Sequence, residues 1–198
     1  MIAREMLKQI NSNEILNMDN INSVINGMVP EKCRIYYICS KDDLEDCLQS
    51  VSQSLNQRKL ENIRNYYDKT TVLGCAFLAQ KIIIIFVKSI FVEAKYLPRK
   101  ACERRFYNVL FHELCHIKLN DKGIDDNEHI VNKFAKDLCN INKEFLLTPF
   151  NDDVYNQFKK QISVFSSLLC DVWDTIIHSP VLMGAIAFLI YRIIYISI

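Results

Sequence analysis

Residues 111–120, FHELCHIKLN, constrain the fold of this chain more than any other stretch, because they contain the pattern HExxH. Residues four apart lie one turn apart on an α-helix, so His112 and His116 are predicted to point in the same direction. Two imidazoles in that arrangement can bind one metal ion, and Glu113 beside them is a candidate general base. The fold is therefore expected to place this helix next to a cleft.

Apolar residues of the same segment define a second face of the predicted helix. Phe106, Leu110, Leu114 and Ile117 recur at helical spacing, with Tyr107 and Phe111 alongside them. At about 100° per residue, His112 and His116 lie within roughly 40° of each other and away from that stripe. The pattern predicts a helix with its apolar stripe in the core and its histidines in a cleft.

The composition favours a mainly helical α+β fold with a small sheet. The chain has 198 residues, enough for one domain with a sizeable core or for a domain plus an appendage. It has only four glycines and four prolines, which argues against a many-stranded sandwich. Its formal net charge is +1 and the two signs are mixed along the chain, so no basic surface for nucleic acid is expected.

Three runs of β-branched, aromatic or apolar residues are predicted to be strands. They occupy residues 34–39, 72–78 and 82–87. Only three residues separate the last two runs, which therefore predict a β-hairpin. The run at 82–87 is continuously apolar, which is typical of a strand covered on both faces.

Helices are predicted on both sides of these strands. One helix in residues 1–30 ends near Gly27 and Pro30. Ser40 resembles an N-cap and introduces a polar helix that runs to about Tyr67, which we expect to be a solvated flank. The HExxH helix ends near Gly123, and a further helix begins around residues 125–126.

This last helix is expected to supply a third metal ligand. Glu128 is the candidate, because Glu128 and Asn132 are four apart and share one face. His129 is the alternative third ligand, and about 100° of helix rotation separates it from Glu128. The simplest prediction for His129 is a solvent-exposed side chain. Asn132 could hold a ligand histidine through that histidine's other ring nitrogen.

The predicted ligands define a chemistry. Zn²⁺ held by two histidines and one carboxylate keeps a position for water, whose pKa it lowers towards about 7. Glu113 would take the proton of that water and pass it to a leaving amine, as peptide hydrolysis requires. Tyr107 is one candidate donor to the attacked oxygen. The alternative is a non-catalytic metal-binding interaction or sensor module, although such a module has no need of a base at Glu113.

The cysteines and the N-terminus predict a cytoplasmic protein. Eight cysteines are spread along the chain without a CxxC pair, so no metal-knuckle spacing is present. The first ten residues lack the apolar core of a secretory signal peptide. A reducing compartment is therefore expected, with the thiols packing as small apolar groups.

The C-terminal part predicts two more segments. Residues 151–179 have apolar residues at helical spacing, which predicts an amphipathic helical segment. After Pro180, residues 181–191 are wholly apolar apart from Gly184, and Arg192 follows. The stretch 180–198 is close to the roughly 20 residues that cross a membrane. A C-terminal membrane anchor with a transmembrane helix is one interpretation, and a buried or oligomerising helix is the other.

Two motifs together resemble a known family. The chain is similar to the ImmA/IrrE group of zinc metallopeptidases over about residues 72–147. The motifs that carry the similarity are RRFYNVLFHELCHIKLN and, after it, EHIVNKFAKDL. Glu128, Asn132, Phe134 and Ala135 match a second family motif that reads roughly ExxANxFA. Val131 replaces the usual alanine, and the Met-Pro that often closes the helix has no clear counterpart.

The resemblance implies a fold, an activity and a substrate class. It implies a gluzincin-like, zincin-like metallopeptidase domain with a small sheet over the metal helix. We assign this domain to residues 1–150, although the resemblance itself does not cover the N-terminal third of the chain. It also implies an intracellular zinc endopeptidase that cleaves a regulatory protein, often a helix-turn-helix repressor. No helix-turn-helix segment is evident in this sequence, so such a repressor would be a separate chain.

Overall fold

A computed structural model describes residues 12–70, 72–94, 97–124, 127–141, 146–153 and 155–156. These residues belong to the first of the two units into which the chain divides, Met1–Asn156. The helices are Ser12–Ile15 (α1), Met18–Ile25 (α2), Lys41–Val51 (α3), Gln57–Lys69 (α4), Val87–Glu93 (α5), Arg99–Asp121 (α6) and Glu128–Ile141 (α7). The strands are Arg34–Tyr37 (β1), Gly74–Phe77 (β2) and Ile82–Ile85 (β3). The predicted α+β, mainly helical class with a small sheet is confirmed.

The three strands form one sheet in the order β1-β3-β2. β2 and β3 pair antiparallel across a short 3₁₀ turn at Leu78–Gln80, which confirms the predicted hairpin. β1 pairs parallel with β3, and its connection to the hairpin passes through α3 and α4. The four isoleucines of β3 are wholly buried, so the prediction of a strand covered on both faces is confirmed.

One face of the sheet is covered by α3 and α4. Ile82, Ile84 and Phe86 pack there in an apolar cluster with buried side chains of both helices. Because side chains alternate along a strand, Ile83 and Ile85 point to the opposite face. On that face α6 contacts both β2 and β3. The sheet is thus the middle layer of three, and the HExxH helix lies directly against it.

The prediction of a single polar helix from Ser40 to about Tyr67 is wrong in two respects. The segment forms two helices, because α3 ends at Val51 and Asn56 starts α4 by accepting a hydrogen bond from the backbone N–H of Lys59. Both helices also bury an apolar side against the sheet. The charged residues lie on the outer faces of the two helices. Because they dominate the composition of the segment, the buried apolar stripe was not recognised in the sequence.

The predicted core face of α6 is confirmed. Its six apolar and aromatic residues are all buried: Phe106, Tyr107, Leu110, Phe111, Leu114 and Ile117. The helix ends as expected, since Gly123 follows it with a φ of +65°, a left-handed conformation that glycine adopts at little cost. α2 likewise ends shortly before Gly27, whose φ is +72°.

No helix within the described residues is long and apolar enough to cross a membrane, and this finding corrects the prediction of a transmembrane helix. The C-terminal hydrophobic helix predicted at 180–198 lies outside the described residues. The same is true of the amphipathic segment predicted at 151–179, apart from its first few residues.

Candidate metal centre

Two neighbouring helices carry the candidate ligands. α6 and α7 pack along a seam in which Val131 of α7 contacts Cys115 and Leu119 of α6. The turn after α6 is short, so the first residue of α7, Glu128, lies opposite the middle of α6. The packing of the two helices thereby places a carboxylate beside His112 and His116.

The donor atoms of these three residues lie close together. The Nε2 atoms of His112 and His116 are 3.0 Å apart. One carboxylate oxygen of Glu128 is 3.5 Å from Nε2 of His112, and the other is 3.5 Å from Nε2 of His116. One ligand atom from each residue can be chosen so that all three lie within 4.8 Å of one another.

These distances suit a divalent metal ion. Metal–donor bonds of 2.0–2.1 Å in a tetrahedral site place the donors about 3.3 Å apart, close to the separations described above. An exposed carboxylate beside two imidazoles adds little to stability by itself, and the Glu128 side chain is 71% exposed. The three residues therefore form a candidate ligand set. Imidazole and carboxylate donors do not by themselves single out zinc among divalent transition metals.

Glu113 lies beneath the edge of the sheet. It is 6% exposed, and β2 passes directly over it at Gly74. A Cβ added to Gly74 would lie 2.9 Å from both Cγ and Oε1 of Glu113, so only glycine fits without displacing one of the two segments. The sheet therefore constrains where the carboxyl group of Glu113 can lie.

A pocket opens beside the histidines, with a volume of about 200 Å³. Its walls come from the start of β2, from the outward face of α6 and from α7: Leu73, Gly74, Arg105, Asn108, Val109, His112, Glu113 and Asn132. Asn132 thus shares a pocket with His112. Its role in holding a ligand histidine stays a prediction.

The other candidates from the sequence lie elsewhere. His129 is exposed, and its backbone N–H donates to Oδ1 of Asn127 at 2.8 Å. Among the described residues the three-residue cluster includes Glu128 and not His129. Tyr107 is buried in the core, where its hydroxyl donates to the carbonyl oxygen of Leu147 at 2.6 Å and burial raises its pKa.

Sequence reasoning missed five residues that line the pocket, and Gly74 and Arg105 are the two of them that bear on its chemistry. A glycine inside an apolar strand often marks a close backbone approach, and that signal was present at Gly74. Arg105 lies seven residues before His112, and hence on the same side of α6. Its partner Glu93 on α5 comes from tertiary packing and has no local signature.

The fold and the site together define a class of protein: a small α+β domain in which the longest described helix carries two histidines and a buried glutamate beside the carboxylate of the next helix. Comparisons with protein-family models, curated proteins and solved structures gave no match to this chain. The resemblance to the ImmA/IrrE group stays a prediction.

Proposed function

We propose that this protein is a metal-dependent endopeptidase, with zinc as the metal, that hydrolyses a peptide bond in a protein substrate. One observation carries the proposal. The donor atoms of His112, His116 and Glu128 lie within 4.8 Å of one another, and the buried carboxyl group of Glu113 is next to His112 in sequence and lines the same pocket. A site that only stores or senses a metal needs the three ligands but not the fourth residue.

His112, His116 and Glu128 would hold the ion, and the ion would polarise the substrate carbonyl and acidify the attacking water. Glu113 would accept the water proton on its carboxylate and deliver it to the nitrogen of the leaving amine. Its position beneath β2 keeps most of its surface away from bulk water, so the carboxylate is oriented before a substrate arrives.

The edge strand β2 supports a peptide as the substrate. The backbone N–H of Phe86 donates to the carbonyl of Leu73 at 2.9 Å, so every second residue from Leu73 faces β3. Gly74 and Ala76 therefore direct their backbone N–H and C=O groups to the other side, which is an edge of the sheet formed by the described residues. An extended peptide can pair with such an edge, and Gly74 lines the pocket that contains His112.

A narrower form of the proposal depends on the resemblance alone. The ImmA/IrrE motifs favour a zincin-like domain that acts in the cytoplasm on a regulatory protein, such as a helix-turn-helix repressor on a separate chain. Co-expression with candidate repressors, followed by detection of a cleaved product, is the direct measurement of that preference.

The main experiment compares the wild type with Glu113→Gln on a proteome-derived peptide library in the presence of zinc. We expect the wild type to cleave, and the variant to be slower by about a hundredfold to ten-thousandfold, because the base is lost while the ligands remain. Both proteins should bind one equivalent of zinc. Zinc binding without cleavage by either protein would favour the non-catalytic module, and equal cleavage by both would exclude Glu113 as the base.

The assignment of the three ligands is tested by measuring the zinc content of variants after dialysis. Glu128→Ala should weaken zinc binding by at least about tenfold, since even the outer partners of metal ligands are worth that much. His129→Ala is the matched control, because it alters the adjacent residue on the same helix turn and should retain full zinc. A normal zinc content in Glu128→Ala, with loss in His129→Ala, would reverse the assignment of the third ligand.

A further inference from the structure

We propose that Arg105 selects substrates that carry a carboxylate group near the cleaved bond, either an Asp or Glu side chain or a free C-terminus. The inference rests on the proposed peptidase function and names a substrate class for the same pocket. No feature of the HExxH motif itself requires a cation at this position.

Arg105, His112 and His116 lie on one side of α6. Arg105 lines the same pocket as His112 and Glu113. It precedes His112 by seven residues, which is two helical turns and about 10 Å along the helix axis. A substrate that fills this pocket therefore lies beside both His112 and the guanidinium group.

The guanidinium group of Arg105 is held in one orientation by Glu93. Its Nε donates to Oε2 of Glu93 at 3.3 Å and its Nη2 donates to Oε1 at 2.8 Å. These two bonds use two of the five N–H groups of arginine. Among the described residues, the other three N–H groups have no acceptor. Arg105 is thus oriented in advance and keeps donors for a further acceptor, at little additional cost in side-chain entropy.

The chemistry of this wall of the pocket favours a carboxylate. A planar guanidinium group matches the two oxygens of a carboxylate, and a charge-assisted hydrogen bond is roughly twice as strong as a neutral one. Asn108 and Asn132 add amide donors to the same pocket. Glu113, the one acidic side chain among the lining residues of the described pocket, is next to His112 in sequence and seven residues or more from Arg105.

The distance along α6 limits where the selected residue can lie in the substrate. An extended peptide advances about 3.3 Å per residue, so a separation of about 10 Å corresponds to about three residues. We therefore expect the carboxylate within about three residues of the cleaved bond.

The experiment measures cleavage preferences of the zinc-loaded protein on a proteome-derived peptide library, identified by mass spectrometry. The variants are Arg105→Gln and Arg105→Lys. Arg64→Gln is the matched control, because Arg64 forms a similar exposed pair with Glu45 at 3.2 Å on the far side of the sheet. Wild-type sites should be enriched in Asp or Glu within three residues of the cut, or should lie that close to a free C-terminus.

Synthetic peptides based on a preferred site separate the two sources of carboxylate. One peptide keeps an internal Glu and has an amidated C-terminus, a second replaces that Glu by Gln, and a third has Gln with a free C-terminus close to the cut. Arg105→Gln should lower kcat/KM for the carboxylate peptide by about tenfold to a hundredfold, as expected for a lost charged hydrogen bond. It should change the neutral peptide by no more than twofold to threefold, and Arg105→Lys should recover part of the loss.

Several outcomes would overturn the inference. Wild-type cleavage without a carboxylate preference would exclude it, as would an unchanged preference in Arg105→Gln. A uniform loss on all peptides, accompanied by a lower Tm than that of Arg64→Gln, would assign Arg105 a structural role instead. If the wild type cleaves nothing in the library, the proposed function fails first and the inference fails with it.

Discussion

The contact between Gly74 and Glu113 makes residue 74 sensitive to any added side chain. In Gly74→Ala the new Cβ would also approach Cγ1 of Val109 to 3.1 Å. The added methyl group is therefore crowded by two residues of α6, Val109 and Glu113. We expect cleavage to fall by at least tenfold, because displacement of a catalytic group by about 1 Å is that costly. Zinc content should not change, since the three atoms nearest to the added methyl group belong to Glu113 and Val109 and not to a candidate ligand.

A control must separate this effect from a general loss of stability. Overpacking at Gly74 should itself cost about 1–3 kcal/mol. Gly27→Ala is suitable, because Gly27 has a φ of +72° and nothing lies within 4 Å of its added Cβ. That variant should lower the Tm through backbone strain without lowering kcat at temperatures where it stays folded. A kcat loss of equal size in both variants would contradict a positioning effect at Gly74.

The start of α7 determines where Glu128 lies. Asn127 precedes the helix, and its side chain accepts the backbone N–H of His129 while its carbonyl accepts that of Val131 at 3.0 Å. Asn127 is therefore the N-cap, and Glu128 is the first residue of the helix. The position of the third candidate ligand depends on the order of this first turn.

Asn127→Ala should weaken zinc binding although it leaves all three candidate ligands in place. Loss of an N-cap costs about 1 kcal/mol, and fraying of the first turn would lower zinc affinity by roughly fivefold. Competition with a fluorescent chelator measures the affinity. Asn56→Ala removes an equivalent cap, that of α4, and should reduce stability by a similar amount without changing zinc affinity. Equal affinities in the two variants would argue against a role for Asn127.

Some elements were predictable from the sequence because their signals are local. The hairpin of β2 and β3 follows from two apolar runs with three residues between them, and α6 follows from one apolar stripe. The parallel pairing of Arg34 with Ile82 joins residues far apart in sequence, and no local pattern specifies it. The break between α3 and α4 was missed because the cap at Asn56 lies within a polar stretch.

The candidate site divides in the same way. His112, Glu113 and His116 follow from one helix and its period, and Glu128 follows from the spacing of the next helix. The role of Arg105 in the pocket could not be predicted without the tertiary structure, because Glu93 of α5 orients its side chain. Local periodicity therefore identified the candidate ligands and the candidate base, and tertiary contacts identified the walls of the pocket.

The two ends of the described unit meet at the start of α6. Leu16 forms an antiparallel bridge with Phe150, and Arg99 at the first position of α6 pairs with Glu103 at 2.8 Å and with Asp152 at 2.6 Å. Arg99 also donates to the backbone carbonyl of Phe150. The start of the helix that carries His112 and His116 is thus held by the C-terminal segment of the unit, which pairs in turn with the N-terminal segment.

The buried thiols predict how the stability of the fold depends on pH. The seven cysteines within the described residues form no disulfide. Burial raises the pKa of Cys47, which lies in the apolar cluster under α3, to about 12. Burial likewise raises the pKa of Cys139, whose Sγ lies 4.0 Å from Oδ1 of Asn108, to about 11. Each thiol therefore keeps its proton in the fold at a pH where an exposed thiol loses it.

The free energy of unfolding should accordingly be constant up to about pH 8.5 and fall as the pH rises further. The unfolded chain loses these protons near pH 8.5–9, so above that pH the folded state holds more protons and ΔG of unfolding decreases with pH. Each thiol contributes up to about 1.4 kcal/mol per pH unit. Urea unfolding followed by circular dichroism under reducing conditions, between pH 7 and 10, measures the slope before most tyrosines titrate.

Cys47→Ala and Cys139→Ala separate titration from packing. Each variant should be less stable than the wild type at pH 7, because removal of a buried sulfur leaves a small cavity. Each should also lose less stability between pH 8.5 and 10, since one group no longer titrates, and the double variant should show the smallest slope. Parallel pH profiles for the wild type and the double variant would mean that these two thiols ionise as readily in the fold as in the unfolded chain.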